Sequence, residues 1–180
     1  MPESVVFLMR IDLRKFFSGD GVVQNIDYSF ELRDVEIDGA KPFISPIEVH
    51  GTLKSFEGSA ELKAELTYDF SMPCNRCMEE TLTKCRLSVF HTLVRSIHED
   101  DNESYIQVED EAVDLDELLY SDIILELPAK YICKEDCKGI CPHCGKNLNK
   151  ESCNCGKNQI DPRFEVLKKL IDPSNEDAFN

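Results

Sequence analysis

Hydrophobic and polar positions alternate along much of the first half of the chain. The alternation is cleanest from Ala60 to Phe70, where every even-numbered side chain is apolar and every odd-numbered one polar. A period of two marks a strand with one face on a core and the other in water. Shorter runs of the same kind, at Val5–Ile11, Tyr28–Val35, Ile47–Phe56 and Leu87–Val94, predict further strands, and the last reaches back toward Leu82. Turn signals at Asp20-Gly21, Asp38-Gly39 and Glu57-Gly58 separate them. The N-terminal part of the chain therefore reads as an antiparallel β-sheet or open barrel.

The pattern then changes. Glu99–Glu103 reads as a solvated acidic loop and Tyr105–Val108 as one more strand, after which Leu115, Leu118, Leu119 and Ile123 recur at helical spacing. Asp114 stands where an N-cap belongs, Glu117 follows three residues on, and Pro128 stops the element. Acidic residues in its first turn suit the positive end of the helix dipole. Between Tyr131 and Gly156 large apolar side chains are sparse, so this segment cannot close a core by burial and needs a staple. A last helix is expected from Asp161, with Pro162 in its first turn and Phe164, Leu167, Leu170 and Ile171 on one face; Asp172–Asn180 reads as a frayed tail. The fold class is α+β. Its two parts are a β-rich domain with an acidic helix over residues 1–129 and a Cys-rich, metal-stapled module with a final helix over 130–180, packed on it.

Charge narrows the partners. With 20 basic and 35 acidic residues the chain carries a formal charge of −15, which disfavours unaided binding to a phosphate backbone. The excess is segregated: Ser96–Ala129 holds 12 acidic residues and no Lys or Arg, whereas Lys130–Leu170 holds 9 basic and 5 acidic. No run approaches the roughly 18 apolar residues of a membrane span, and the opening stretch has charges inside it, unlike an export signal. A cytoplasmic location and no membrane partner are expected.

In a reducing compartment nine cysteines point to metal rather than disulfides. Eight fall into four close pairs: Cys74/Cys77, Cys133/Cys137, Cys141/Cys144 and Cys153/Cys155. A tetrahedral zinc needs four thiolates at about 2.3 Å, and ligands two to four residues apart let one turn supply two of them. Four pairs make two sites, and two groupings are open. In the preferred one, Cys74, Cys77, Cys133 and Cys137 hold one ion by long-range contact, and Cys141, Cys144, Cys153 and Cys155 hold the other locally. In the alternative, the two x2 knuckles, Cys74/Cys77 and Cys141/Cys144, share an ion, leaving Cys133/Cys137 with Cys153/Cys155.

All-thiolate shells are closed, so the expected cofactor is two structural zinc ions that contribute folding free energy rather than chemistry. Cys74-Asn75-Arg76-Cys77 follows a strand instead of opening a helix in a βαβ unit, which argues against a redox pair, and the consecutive spacing of iron–sulfur ligands is missing. Cys85 reads as a small buried hydrophobe. His143 lies inside a knuckle, and His50, His91 and His98 have no ligand spacing. No phosphate loop, nucleophile elbow or kinase signature is present, and no catalytic residue is assigned. A thiol- or metal-dependent enzyme is the least favoured class.

The ordered motifs resemble a family. Cys74-Asn75-Arg76-Cys77-Met78-Glu79 after a strand, Asp114-Leu115-Asp116 opening a helix, Ile124-Leu125-Glu126-Leu127-Pro128, the run from Cys137 to Asn149 and Asp161-Pro162-Arg163-Phe164 together resemble the bacterial YceD family. The resemblance implies a part in producing or accumulating large-subunit (23S) ribosomal RNA, hence in ribosome biogenesis, and it implies no enzymatic reaction. Some relatives keep only residues matching Cys74, Cys77, a His in place of Cys133, and Cys137, which favours the first grouping. In many bacteria the family's gene lies beside that of a small basic zinc-ribbon protein of the large subunit. The function expected is a non-catalytic factor that binds a basic large-subunit ribosomal protein or a pre-ribosomal particle, meeting rRNA within that complex. The alternative is a zinc-knuckle RNA-binding protein using Lys134, Lys138, Lys146, Lys150 and Lys157.

Overall fold

Seven strands and two α-helices make up a computed structural model that describes residues 9–97 and 105–155. Five strands form the main sheet, in the order β2 (Val23–Phe30), β3 (Ile47–Phe56), β4 (Ser59–Pro73), β5 (Glu80–Val94) and β6 (Tyr105–Gln107). Neighbours are antiparallel from β2 to β5; β6 runs parallel to the end of β5, so the sheet is not purely antiparallel. A second, two-stranded sheet pairs β1 (Arg10–Asp12) with β7 (Ala112–Asp114).

The period-two pattern sets the sheet's two faces. Along β4 every even-numbered residue from Ala60 to Met72 is buried, whereas the odd-numbered Lys63 and Glu65 are in water. β3 and β4 are joined through Glu57-Gly58, both at positive φ (46° and 79°), the type I′ geometry whose twist matches the flanking strands. This half-barrel closes its inner face on Leu53, Leu62, Leu66 and Leu93 of the sheet, on Phe16 and Phe17 of the short helix α1 (Arg14–Ser18), and on Leu115, Leu119 and Ile123 of α2 (Leu115–Glu126).

The cap expected for the acidic helix is present: the Asp114 carboxylate accepts from the backbone N–H of Asp116 and of Glu117. α2 reaches the sheet through polar as well as apolar contacts. The Tyr28 hydroxyl donates to the buried Asp116 carboxylate at 2.7 Å, and the His91 ring meets Asp122 at 2.7 Å. Burial and the adjacent Asp116 charge push the Tyr28 hydroxyl pKa well up.

Several boundaries differ from those predicted. The strand expected over Tyr28–Val35 is displaced to Val23–Phe30; Leu32 and Val35 belong to a turn, with the Val35 N–H on the Leu32 carbonyl, and their side chains anchor that turn to the core. The strand expected at Leu87–Val94, reaching back toward Leu82, starts at Glu80; exposed residues on both faces weaken the period over its first half. The predicted strand at Val5–Ile11 lies partly outside the described residues; Arg10 and Ile11 fall in β1. The acidic loop at Glu99–Glu103, the helix from Asp161 and the tail from Asp172 also lie outside them. Among the described residues, no helix is long and apolar enough to cross a membrane.

Candidate metal centres

The turn between β4 and β5 is a cysteine knuckle. Cys74 follows the last residue of β4, and its N–H donates to the Glu79 carbonyl while the Met78 N–H donates back to the Cys74 carbonyl. Cys141–Lys146 repeats this pattern: the Cys141 N–H donates to the Lys146 carbonyl and the Gly145 N–H to the Cys141 carbonyl. The residue after the second cysteine is left-handed in each, Met78 at φ 61° and Gly145 at φ 71°. One backbone design has thus been built twice, 67 residues apart in numbering from Cys74 to Cys141.

The sulfurs meet in two groups. Cys74, Cys77, Cys133 and Cys137 lie with all Sγ atoms within 4.8 Å of one another, and so do Cys141, Cys144, Cys153 and Cys155. This is the long-range-plus-local grouping, not the sharing of one site by the two knuckles. Four sulfurs at about 2.3 Å from a tetrahedral centre are about 3.8 Å apart; Cys74 and Cys137 are at 3.9 Å and Cys77 and Cys133 at 3.6 Å. The spacing fits a thiolate-bound ion, and each cluster could hold one.

Polar hydrogens already surround the first cluster. Cys74 Sγ accepts from the N–H of Arg76 (3.4 Å) and of Cys133 (3.3 Å), and Cys137 Sγ accepts from the Asn149 side-chain amide at 3.3 Å. Burial raises the Cys74 thiol, but these backbone donors outweigh it and hold its pKa down at about 6. The Asn149 amide lowers Cys137, whereas burial and the neighbouring sulfurs push Cys133 up to about 12. The second cluster splits likewise: N–H groups of Cys144 and His143 bring Cys141 to about 6, and the Cys144 sulfur, with burial, pushes Cys155 to about 12. Four thiols sharing one site cannot all ionise alone, so some shed protons easily and the rest keep them. A divalent cation removes that conflict.

Three residues hold the first cluster's halves together, and none was singled out from the sequence. The Arg76 guanidinium donates to the carbonyls of Glu135 (3.2 Å) and Cys137 (3.1 Å), while its own carbonyl accepts from Ile140. The Asn75 side-chain oxygen accepts from the Tyr131 backbone N–H, and the Asn75 backbone N–H donates to the Tyr131 carbonyl. Asn149 accepts the Lys138 N–H and donates to Cys137, tying the segment between the clusters to the first. Their sequence signal was membership of the motifs from Cys74 to Glu79 and from Cys137 to Asn149, which gave none of them a role.

The remaining candidates lie elsewhere. Cys85 is half-buried on β5 beside Tyr68, with its thiol pKa raised by burial. His143 is exposed, His50 pairs with Asp27 and His91 with Asp122; His98 is outside the described residues.

A half-barrel whose strand turn and trailing segment share a tetracysteine cluster, with a second cluster just beyond, defines a cysteine-stapled class of small β protein. Residues 62–171 match the family described as large ribosomal RNA subunit accumulation protein YceD, and the chain belongs to that family. It is 30% identical to YlbN of Bacillus subtilis over 148 residues, 74% of this chain and 78% of YlbN. A Mycobacterium tuberculosis protein is 37% identical over 70 residues, 39% of this chain and 33% of that protein. A chloroplast protein of Arabidopsis thaliana named large ribosomal RNA subunit accumulation protein YCED homolog 1 is 36% identical over 58 residues, 32% of this chain and 18% of its own length. This chain thus corresponds to only a part of the mycobacterial and plant relatives. No solved structure matches.

Proposed function

We propose that the protein is a non-catalytic factor in large-subunit assembly, stapled by two structural zinc ions, whose acidic face binds a basic ribosomal protein or an rRNA–protein intermediate. The observation that carries the reading is the surface of α2. Glu117 and Glu126 are exposed there, and no Lys or Arg occurs between Ser96 and Ala129 to neutralise them. Such a face steers a lysine- and arginine-rich partner and repels bare phosphate. Three module lysines are already committed to carboxylates, Lys134 with Asp136, Lys146 with Glu151 and Lys150 with Glu79, which lowers the charge left for direct RNA contact. Zinc is the ion that suits eight thiolates in two closed shells. Family membership supplies the connection to large-subunit rRNA.

Deleting the gene and measuring large-subunit rRNA and subunit profiles, also in the cold, tests this directly. Loss of rRNA that the wild-type gene restores, and that E117K/E126K does not restore despite normal metal content, is the expected result. Normal rRNA in the deletion strain would reject it.

A further inference from the structure

The outer edge of β5 is open. Fourteen successive pairs, from Ala60↔Leu93 to Pro73↔Glu80, join its inner edge to β4 without a break, but β6 covers the outer edge only at Thr92–Val94. From Glu80 to His91 no strand among the described residues pairs with that edge. The Val94 carbonyl accepts from Val108 and so points outward. By strict alternation the even-numbered residues of β5 aim their N–H and C=O groups at the same open side. Long open edges recruit other strands unless charge, proline or a bulge blunts them. This one has an unbroken register and no proline; its cations Lys84 and Arg86 stand on the outward, solvent-facing surface, and the inward face between Thr81 and His91 carries no charged side chain other than the ring of His91 paired with Asp122.

We propose that two copies of the chain join edge to edge through β5, antiparallel, about a dyad at Arg86. The self-complementarity of the strand selects this occupant. With Arg86 on the dyad, Leu82 faces Phe90 of the second copy and Phe90 faces its Leu82. Both are large apolar side chains left 66% and 55% exposed in the single chain. Lys84 then faces Ser88 on the same outward surface. On the inward surface Cys85 faces Leu87, and Thr83 faces Val89. The register is consistent along the strand: even-numbered residues, which aim their N–H and C=O groups at the seam, meet even-numbered ones as hydrogen-bonded pairs, and odd-numbered residues meet odd-numbered ones as the intervening non-hydrogen-bonded pairs. The one like-charge meeting, Arg86 with its symmetry mate, is offset within each copy by Glu65, which lies 3.1 Å from the Arg86 guanidinium. The dyad also uses the whole open stretch, since pairing Thr81 with His91 ends where β6 begins. The product is a continuous ten-stranded sheet, five strands from each copy.

Sedimentation of the full chain over a dilution series tests the proposal. A dimer is expected in wild type. L82E or F90K alone should weaken it by roughly tenfold or more, because each altered pair occurs twice. The double variant L82E/F90K places opposite charges in that cross-dyad pair and should restore the dimer. Both positions are exposed in the single chain, so metal content, and the melting temperature at dilutions where every variant is monomeric, should stay at wild-type values. Hydrogen exchange on the wild type is a second reading: the amides of Lys84, Arg86 and Ser88 should be protected when concentrated and exchange on dilution. A monomer at every concentration, a dimer indifferent to the single variants, or no restoration in the double variant would overturn the proposal.

Discussion

Met78 and Gly145 occupy the same left-handed position of the same knuckle, but only one of them is a residue that adopts it freely. A left-handed L-residue costs about 1–2 kcal/mol, and Met78 is 65% exposed, so its side chain recovers little by packing. M78G should therefore stabilise the protein by about 0.5–1 kcal/mol, read as a higher melting temperature with unchanged metal content. Glycines 139 and 145 separate strain from space. A Cβ at Gly139 would lie 2.9 Å from the Arg76 carbonyl oxygen, whereas one at Gly145 would meet nothing within 4 Å, and both have positive φ. G145A should cost about 1 kcal/mol. G139A should cost at least about 2 kcal/mol and lower metal occupancy, because it also forces Arg76 off the segment that carries Cys137. Denaturant unfolding of the two variants side by side checks the difference. At this scale the clustered thiols were legible because thiol spacing is a local property. Arg76 and Asn149 were not, since the carbonyl and sulfur they bind come from distant parts of the chain.

At the scale of elements, local signals did well where they did not compete with tertiary packing. Asp114 and the helical spacing after it located α2 correctly, because a cap is satisfied within its own turn. D114A leaves two N–H groups without their acceptor and should cost about 1 kcal/mol in thermal or chemical unfolding. The Ala60–Phe70 alternation located β4 for the same reason, its period being fixed by a face that is wholly buried. β5 shows its clean period only from Leu87; over Glu80–Arg86 neither face is well buried, and the strand, expected back toward Leu82, begins two residues earlier at Glu80. Leu32 and Val35 erred the other way: apolar residues pinning a turn mimic a strand. The five-residue helix α1 was missed because its two buried phenylalanines are adjacent and show no helical period.

For the whole molecule, charge and metal are linked. Four thiolates around a divalent ion leave −2, so filling both clusters deepens the formal charge of −15 to −19. Cys133 and Cys155, with pKa values at about 12 before metal, carry protons at neutral pH that an ion must displace. Metal binding therefore releases protons, and affinity should rise with pH and fall on acidification; a lightly buffered titration that acidifies on adding zinc checks the sign. Protein purified without chelator should contain about two zinc ions. C155S should lose one of them and leave the half-barrel melting nearly as before. C74S should lose the other and also release the segment after Tyr131 from the β4–β5 turn, seen as new proteolytic cleavage there.

The sequence by itself determined the two-faced strand, the capped acidic helix, the charge segregation and the eight paired thiols, because each is carried by neighbours along the chain. The tertiary structure decided which thiols meet. It brought Cys133 and Cys137 to the β4–β5 turn through Asn75 and Arg76, and it left one edge of β5 open. Contacts between residues some sixty positions apart depend on where the sheet places its turns, and no local period encodes that.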